Sequence, residues 1–243
     1  MPIKSLYLDM DNTLHDFSNS AGIAMSGVYQ HIVKKYGLQE QQLRETYKEI
    51  MARTEKNAFF DGRTSREYRT ERFNNLLNSF NIQDKEMVKN LLSIYAQTLE
   101  KYMKPSNGVL NMLSKLNKKF PLFILTEGPE DAQRKAIEIL GFLPYIKDIF
   151  ISGETRKVKE TGELFQYALQ RTGLKPNEVI LVGDSYERDV VGGLKVGLNV
   201  VWLNAKGEEL KPQQQKPQVQ ISDISELETV LQKNFGLEIS ARG

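Results

Sequence analysis

Apolar side chains between residues 17 and 103 recur at the spacing of an α-helix. One run follows the pattern i, i+3, i+4, i+7 and another recurs every fourth residue: Phe73, Leu76, Leu77 and Phe80, then Met87, Leu91, Tyr95 and Leu99. Asp84 is placed to cap the last of these helices. The pattern predicts about four amphipathic helices and no strand in this part of the chain.

The rest of the chain has the pattern of alternating strands and helices. Residues 3–9 form a predicted strand, and further apolar runs bounded by turn residues lie at 121–125, 149–152, 179–182 and 199–203. This alternation is typical of an α/β protein with a Rossmann-like, doubly wound parallel sheet. We therefore predict a core domain of residues 1–16 and 105–243, with residues 17–104 inserted as a helical cap domain.

Composition narrows the classes of partner and cofactor. The 243 residues carry 33 Lys and Arg against 31 Asp and Glu, and no dense basic run, which disfavours nucleic acid and membrane partners. There is no cysteine, and the histidines are His15 and His31, so any metal should have oxygen ligands. The first residues contain no apolar signal-peptide segment. We expect a cytoplasmic protein that is a monomer or a weak homodimer.

Acidic and hydroxyl residues are concentrated where the predicted strands end. Asp9 and Asp11 close the first strand, and side-chain alternation predicts that both face one cleft while Met10 points away. The others come after the second, third and fourth strands: Thr126, Lys159, and Gly183-Asp184-Ser185 with Asp189. Ligands of such sheets bind at the carboxyl ends of the strands, so we predict one common site.

Several carboxylates at one site require a cation. Two of them about 4 Å apart repel each other by roughly 4 kcal/mol at the effective dielectric near a protein surface. Oxygen ligands together with an anionic substrate suit Mg²⁺, which retains several waters and binds phosphate oxygens. The carboxylates that need this balance are Asp9, Asp11, Asp184 and Asp189.

These residues resemble the haloacid dehalogenase (HAD) superfamily of phosphohydrolases. The four motifs of that family are matched in order by Asp9-Met10-Asp11-Asn12-Thr13, Thr126, Lys159 and Gly183-Asp184-Ser185-Tyr186-Glu187-Arg188-Asp189. The helical insert is similar to the family's C1 cap. Two further stretches look like the branch that contains nucleotidases and N-acylneuraminate-9-phosphatases: Phe150-Ile151-Ser152-Gly153-Glu154 and Val201-Trp202-Leu203-Asn204.

The resemblance implies covalent catalysis. Asp9 would attack phosphorus and form an aspartyl-phosphate. Asp11 would protonate the leaving oxygen and later deprotonate water. Lys159 would neutralise Asp9 and the transferring group. Glu160 follows Lys159 where the family often has proline, so Lys157 is an alternative catalytic lysine.

The resemblance also implies a phosphate site and a metal site. Thr126 and the backbone amides of Glu127 and Gly128 would hold phosphoryl oxygens; Glu127 stands where Asn or Ser is frequent, which favours its amide over its side chain. The metal site would consist of Asp9, the backbone carbonyl of Asp11, and Asp184. Ser185 and Asp189 would lie behind these groups, and Asp189 would orient Ser185, Lys159 or a metal-bound water.

Three residues are candidates for substrate selection: His15, Phe60 and Arg63. Arginines in this part of the cap alternate with glutamates, which equally fits a solvated, salt-bridged helix. We predict a Mg²⁺-dependent hydrolase of a small soluble phosphomonoester, either a nucleoside 5′-monophosphate or a sugar phosphate. The alternatives are a phosphomutase of the same fold and a noncatalytic phosphate-binding module.

Overall fold

Six parallel strands form a single sheet in the computed structural model, which describes residues 2–54, 59 and 61–239. Their spatial order is β3-β2-β1-β4-β5-β6. Chain order reverses at β1, the switch point where doubly wound folds bind ligands. The strands are β1 (Ser5–Leu8), β2 (Leu122–Thr126), β3 (Asp148–Ile151), β4 (Val179–Gly183), β5 (Asn199–Leu203) and β6 (Val219–Ile221).

Helices cover both faces of this sheet and fill the segment between β1 and β2. They are α1 (Phe17–Tyr36), α2 (Glu40–Thr54), α3 (Ser65–Asn78), α4 (Lys85–Tyr102), α5 (Val109–Leu116), α6 (Glu130–Ile139), α7 (Ser152–Thr155), α8 (Glu163–Thr172), α9 (Gly192–Lys195) and α10 (Leu227–Phe235). The α/β fold class is therefore confirmed. No helix among the described residues is long and apolar enough to cross a membrane.

Alternation along the inner strands divides the core into two apolar layers. In β1, Leu6 and Leu8 belong to one buried cluster and Tyr7 to the other. In β2, Ile124 and Leu125 are divided in the same way. Because both faces of these strands are buried, the sheet holds the residues at its carboxyl edge on rigid supports.

The segment from Phe17 to Tyr102 contains α1–α4 and no strand among its described residues, as the periodicity predicts. Asp84 caps α4 by accepting a hydrogen bond from Met87 N at 2.8 Å. The segment contacts α6 through Asp131, which accepts bonds from Ser65 N and Ser65 Oγ at 2.9 and 2.7 Å. The division into core and cap domains, with its exact boundaries, remains a prediction.

The apolar pattern at residues 190–196 predicts a helix after β4, and the helical segment begins earlier than this range. A π-helical turn spans Tyr186–Val191 and leads into α9. Ser185 caps this turn through its side chain. The apolar spacing from residue 190 onward therefore marks only the last part of the helical segment.

Helix α3 begins with a reciprocal capping interaction. Thr64 Oγ1 accepts from Glu67 N at 3.3 Å, and Thr64 N donates to Glu67 Oε2 at 2.7 Å. Thr64→Ala should lower the free energy of unfolding by about 1 kcal/mol, the usual cost of losing such a cap. Chemical denaturation measures this change.

Thr70→Ala is the matched control on the same helix. The Thr70 hydroxyl donates to the Arg66 carbonyl at 2.7 Å, an arrangement that slightly destabilises a helix. The variant should be as stable as the wild type or more stable. Equal losses for both threonines would contradict the capping role of Thr64.

Candidate active site

Asp9 directly follows β1 and is buried, with 6% of its surface exposed. Its backbone N donates to Val182 O at 2.9 Å, which continues the β1–β4 pairing by one residue. Its Oδ2 accepts from Thr13 Oγ1 at 2.7 Å, and its Oδ1 accepts from the ammonium of Lys159. Both carboxylate oxygens are therefore held by donors.

Lys159 lies with Asp9 and Asp189 at the centre of the site. Its Nζ donates to both carboxylates, the bond to Asp189 Oδ1 being 2.8 Å. Burial by itself lowers the pKa of this ammonium, but Asp189 and Asp9 outweigh burial and raise the pKa above its ordinary value. Lys157 instead lies 5.9 Å from the ring centroid of Tyr167. Of the two candidate lysines, the structure places Lys159 beside Asp9.

The backbone around Lys159 is fixed by two contacts. Its N–H donates to Glu127 Oε1 at 2.8 Å. A Cβ on Gly192 would collide with the Lys159 carbonyl oxygen, so only glycine permits this approach of α9. The Glu127 carboxylate thus holds the backbone of Lys159 in place, a role that the sequence did not suggest.

An acidic group formed by Asp9, Asp184 and Asp189 fits a divalent cation. One oxygen from each lies within 4.8 Å of the others. Burial, followed by the charges of Asp9 and Asp189, raises the pKa of Asp184 to about 7. An oxygen-only donor set with excess negative charge is the chemistry that Mg²⁺ satisfies.

The Asp11 carboxylate points to different partners from those of Asp9. Strand β1 ends at Leu8, and the chain then turns, with Leu14 N donating to Met10 O at 2.9 Å. Strand alternation therefore does not extend to Asp11, and the placement of Asp9 and Asp11 in one cleft remains a prediction. Asp11 Oδ1 lies 2.8 Å from His15 Nε2, and its Oδ2 accepts from Gln133 Nε2 at 3.2 Å.

His15 lies behind Asp11 rather than on the surface of the cleft. The residue is fully buried and packs edge-on against Phe17, with ring centroids 6.0 Å apart. Its Nδ1 has no hydrogen-bond partner in the described part of the chain, whereas its Nε2 lies against Asp11. In this conformation His15 has no surface for direct contact with substrate.

Thr126, Glu127 and Gly128 follow one another at the end of β2, and polar atoms of the first and the last are already engaged. Thr126 Oγ1 donates to Gln133 Oε1 at 2.9 Å. Gly128 N donates to Ser152 Oγ at 3.0 Å, so this amide is not free for a phosphoryl oxygen in this conformation. Phosphate binding by the Gly128 amide would require this bond to break, and the Glu127 and Gly128 amides both remain predicted contacts.

Of the two cap candidates, Arg63 lies in the described part of the chain and contacts other residues of the helical segment. Arg63 Nε donates to Asp61 Oδ2 at 2.6 Å, and its Nη1 donates to Glu71. The Arg63 guanidinium also lies 4.2 Å from the centroid of the Tyr68 ring. Its charge is thus paired within the helical segment. Phe60 lies outside the described residues.

A cavity of about 360 Å³ adjoins the acidic group. The polar residues that line it include Thr13, Asp184, Asn204, Lys206 and Asp223. This volume falls in the range of small-ligand pockets. Space next to the site therefore suits a small polar molecule.

Gln133 is a site residue that the sequence analysis missed. It lies on the buried face of α6 with Ala136 and Ile137, at i, i+3 and i+4. A glutamine at an apolar helix position is the signal that would have identified it, since a buried amide needs partners.

Comparisons with known proteins agree with this geometry. The sequence profile of the haloacid dehalogenase-like hydrolase family matches residues 6–203. The Homo sapiens N-acylneuraminate-9-phosphatase is 26% identical over 234 residues, covering 95% of this chain and 94% of that protein. The Escherichia coli pyrimidine 5′-nucleotidase YjjG is 32% identical over 131 residues, covering 54% and 58%.

A solved structure gives the same result. The Bacillus subtilis HAD-hydrolase YfnB, crystallised with bound magnesium, matches with a TM-score of 0.73 and 25% identity, over 95% of this chain and 99% of that chain. The motifs, their arrangement at the sheet edge and the extent of the family match agree. This chain belongs to the haloacid dehalogenase-like hydrolases.

Proposed function

We propose that this protein is a Mg²⁺-dependent phosphatase that hydrolyses a small soluble phosphomonoester through an aspartyl-phosphate on Asp9. One observation carries the proposal. The Asp9 carboxylate lies at the switch point of the sheet, against the buried ammonium of Lys159 and within 4.8 Å of the other members of the acidic group. Attack by a carboxylate oxygen on phosphorus requires no general base, unlike attack by a hydroxyl.

Asp9 and Asp11 would divide the chemistry between them. An Asp9 oxygen attacks phosphorus, the bond from phosphorus to the leaving oxygen breaks, and that oxygen takes a proton from Asp11. Asp11 then accepts a proton from water, whose oxygen attacks the aspartyl-phosphate and releases phosphate and Asp9. Lys159 balances charge on Asp9 and on the transferring group. The different partners of the two carboxylates, an ammonium for Asp9 and an imidazole with an amide for Asp11, support this division.

Asp9, Asp184 and the Asp11 backbone carbonyl would hold Mg²⁺, with Asp189 nearby. When bound, the ion neutralises charge on the phosphoryl oxygens. The magnesium-bound YfnB structure and the oxygen donors of the acidic group support this assignment.

The names of the relatives support a small metabolite as the substrate. One is an N-acylneuraminate-9-phosphatase and another a pyrimidine 5′-nucleotidase. A nucleoside 5′-monophosphate or a sugar phosphate is therefore the proposed substrate class, and the cavity volume is compatible with either. We place the enzyme in the cytoplasm, as a monomer or weak homodimer.

Removal of metal tests the proposal. Phosphate release from a panel of nucleotides and sugar phosphates should stop in EDTA and return with Mg²⁺. Asp184→Asn should raise the Mg²⁺ concentration for half-maximal activity by more than about tenfold, since even loss of an outer-shell partner costs that much.

Glu187→Gln is the matched control, because Glu187 is an exposed carboxylate three residues further along the chain. It should leave the Mg²⁺ dependence unchanged. Phosphate release that persists at full rate in EDTA would contradict the metal assignment. No release from any member of the panel would contradict the proposed function.

A further inference from the structure

The buried amide of Gln133 connects two parts of the site that belong to separate motifs. The side chain has 7% of its surface exposed and enters the site from the first turns of α6. Its Oε1 accepts from Thr126 Oγ1 at 2.9 Å, and its Nε2 donates to Asp11 Oδ2 at 3.2 Å. One planar group therefore sets the relative position of a strand-end hydroxyl and a carboxylate.

The orientation of this amide is determined by its neighbours. Nε2 also lies 3.4 Å from the Glu127 carbonyl oxygen. Both groups facing Nε2 are acceptors, whereas the Thr126 hydroxyl can donate to Oε1. Rotating the amide by half a turn would place its oxygen against two acceptors.

The backbone at Gly128 leaves the space that the amide occupies. Gly128 has φ +153°, and a Cβ there would lie 2.5 Å from Gln133 Nε2. A larger residue would push the amide away from Asp11. The absence of a side chain at Gly128 therefore leaves room for the Gln133 amide beside Asp11.

Without Gln133, the Asp11 carboxylate would keep one of the two side-chain partners that the described residues provide. His15 Nε2 holds Oδ1, and Gln133 Nε2 holds Oδ2. A carboxylate held at both oxygens has one orientation, whereas one held at a single oxygen can rotate about that contact. Proton transfer depends steeply on such orientation.

We propose that Gln133 is a positioning residue: it orients Asp11 for proton transfer to the leaving oxygen. This inference rests on the proposed phosphatase function. It predicts that the loss caused by removing the amide depends on how much the leaving group needs the proton. An alkyl phosphate needs protonation at the leaving oxygen, whereas p-nitrophenyl phosphate has a leaving group that departs readily without it.

The test compares kcat/KM of Gln133→Met and wild type on an alkyl phosphate and on p-nitrophenyl phosphate. This ratio covers only the steps up to transfer to Asp9. The alkyl substrate should lose about 10–100-fold, which is less than the roughly 10²–10⁴-fold usual for general acid catalysis because Asp11 itself is retained, and the aryl substrate should lose less than about threefold. Gln170→Met makes the same change at an exposed position of α8 and should leave both substrates unaffected.

Gln133→Glu provides a second variant if Gln133→Met fails to fold. It keeps an acceptor for Thr126 and removes the donor to Asp11, so it should show the same preferential loss on the alkyl phosphate. Equal losses on both substrates would reveal a merely structural role and overturn the proposal, as would no loss on either. If the wild-type protein hydrolyses neither substrate, the proposed phosphatase function is wrong, and the positioning role of Gln133 that rests on it is wrong as well.

Discussion

Replacing Asp9 with asparagine should abolish phosphate release, lowering kcat/KM by more than about 10⁴-fold, as removal of a covalent nucleophile does in other enzymes. The asparagine amide has the shape of the carboxylate but cannot form an acyl-phosphate. Thr13 Oγ1 can still donate to its oxygen, so the fold should be retained. Initial rates with a substrate of the wild-type enzyme measure the loss.

A rapid acid quench provides a direct second measurement. Wild-type protein mixed with ³²P-labelled substrate should carry label, and Asp9→Asn should carry none. Asp148→Asn is the matched control, since Asp148 is an exposed carboxylate at the beginning of β3, away from the carboxyl edge. Wild-type rates in Asp9→Asn would eliminate the aspartyl-phosphate mechanism.

Lys159→Met should both abolish activity and destabilise the protein. Lys159 is 2% exposed and contacts the buried carboxylates of Asp9 and Asp189. Removing one partner of a buried ion pair leaves its charges uncompensated, so the free energy of unfolding should fall by about 3–5 kcal/mol. Denaturant titration in metal-free buffer measures this change.

Lys157→Met tests which lysine belongs to the site. Lys157 lies beside Tyr167 and makes no ion pair among those found in the described residues. Its replacement should leave activity near that of the wild type and stability almost unchanged, because surface charges contribute little. Loss of activity in Lys157→Met with activity retained in Lys159→Met would reverse the assignment.

The strands were predictable because their residues are apolar on both faces. The span of β5 agrees with its predicted range, and β2 ends one residue later than predicted, at Thr126. That difference comes from pairing: Thr126 lies opposite Ile151 in the β2–β3 register. A hydroxyl residue ends an apolar run in the sequence, whereas hydrogen bonding to a neighbouring strand decides where the ladder ends.

The sequence predicts which residues form the site better than it predicts which atoms of those residues are in contact. Asp9, Asp184 and Lys159 come from strand ends that a parallel sheet brings to one edge, so their proximity follows from topology. The orientation of Asp11 does not, because the chain turns after Leu8 and strand alternation no longer applies. Gln133 was not predicted as a site residue because a polar residue on a helix is ordinarily exposed to solvent.

By itself, the amino-acid sequence determined the fold class and the sheet edge where the acidic and basic residues gather, because hydrophobic periodicity and strand-end position are local properties of the chain. Only the tertiary structure decided which atoms face each other: Lys159 rather than Lys157 beside Asp9, and Gln133 between Asp11 and Thr126. Such pairings join residues up to 150 positions apart. They depend on how elements pack, and on glycines that allow close approach, neither of which is encoded in any short segment.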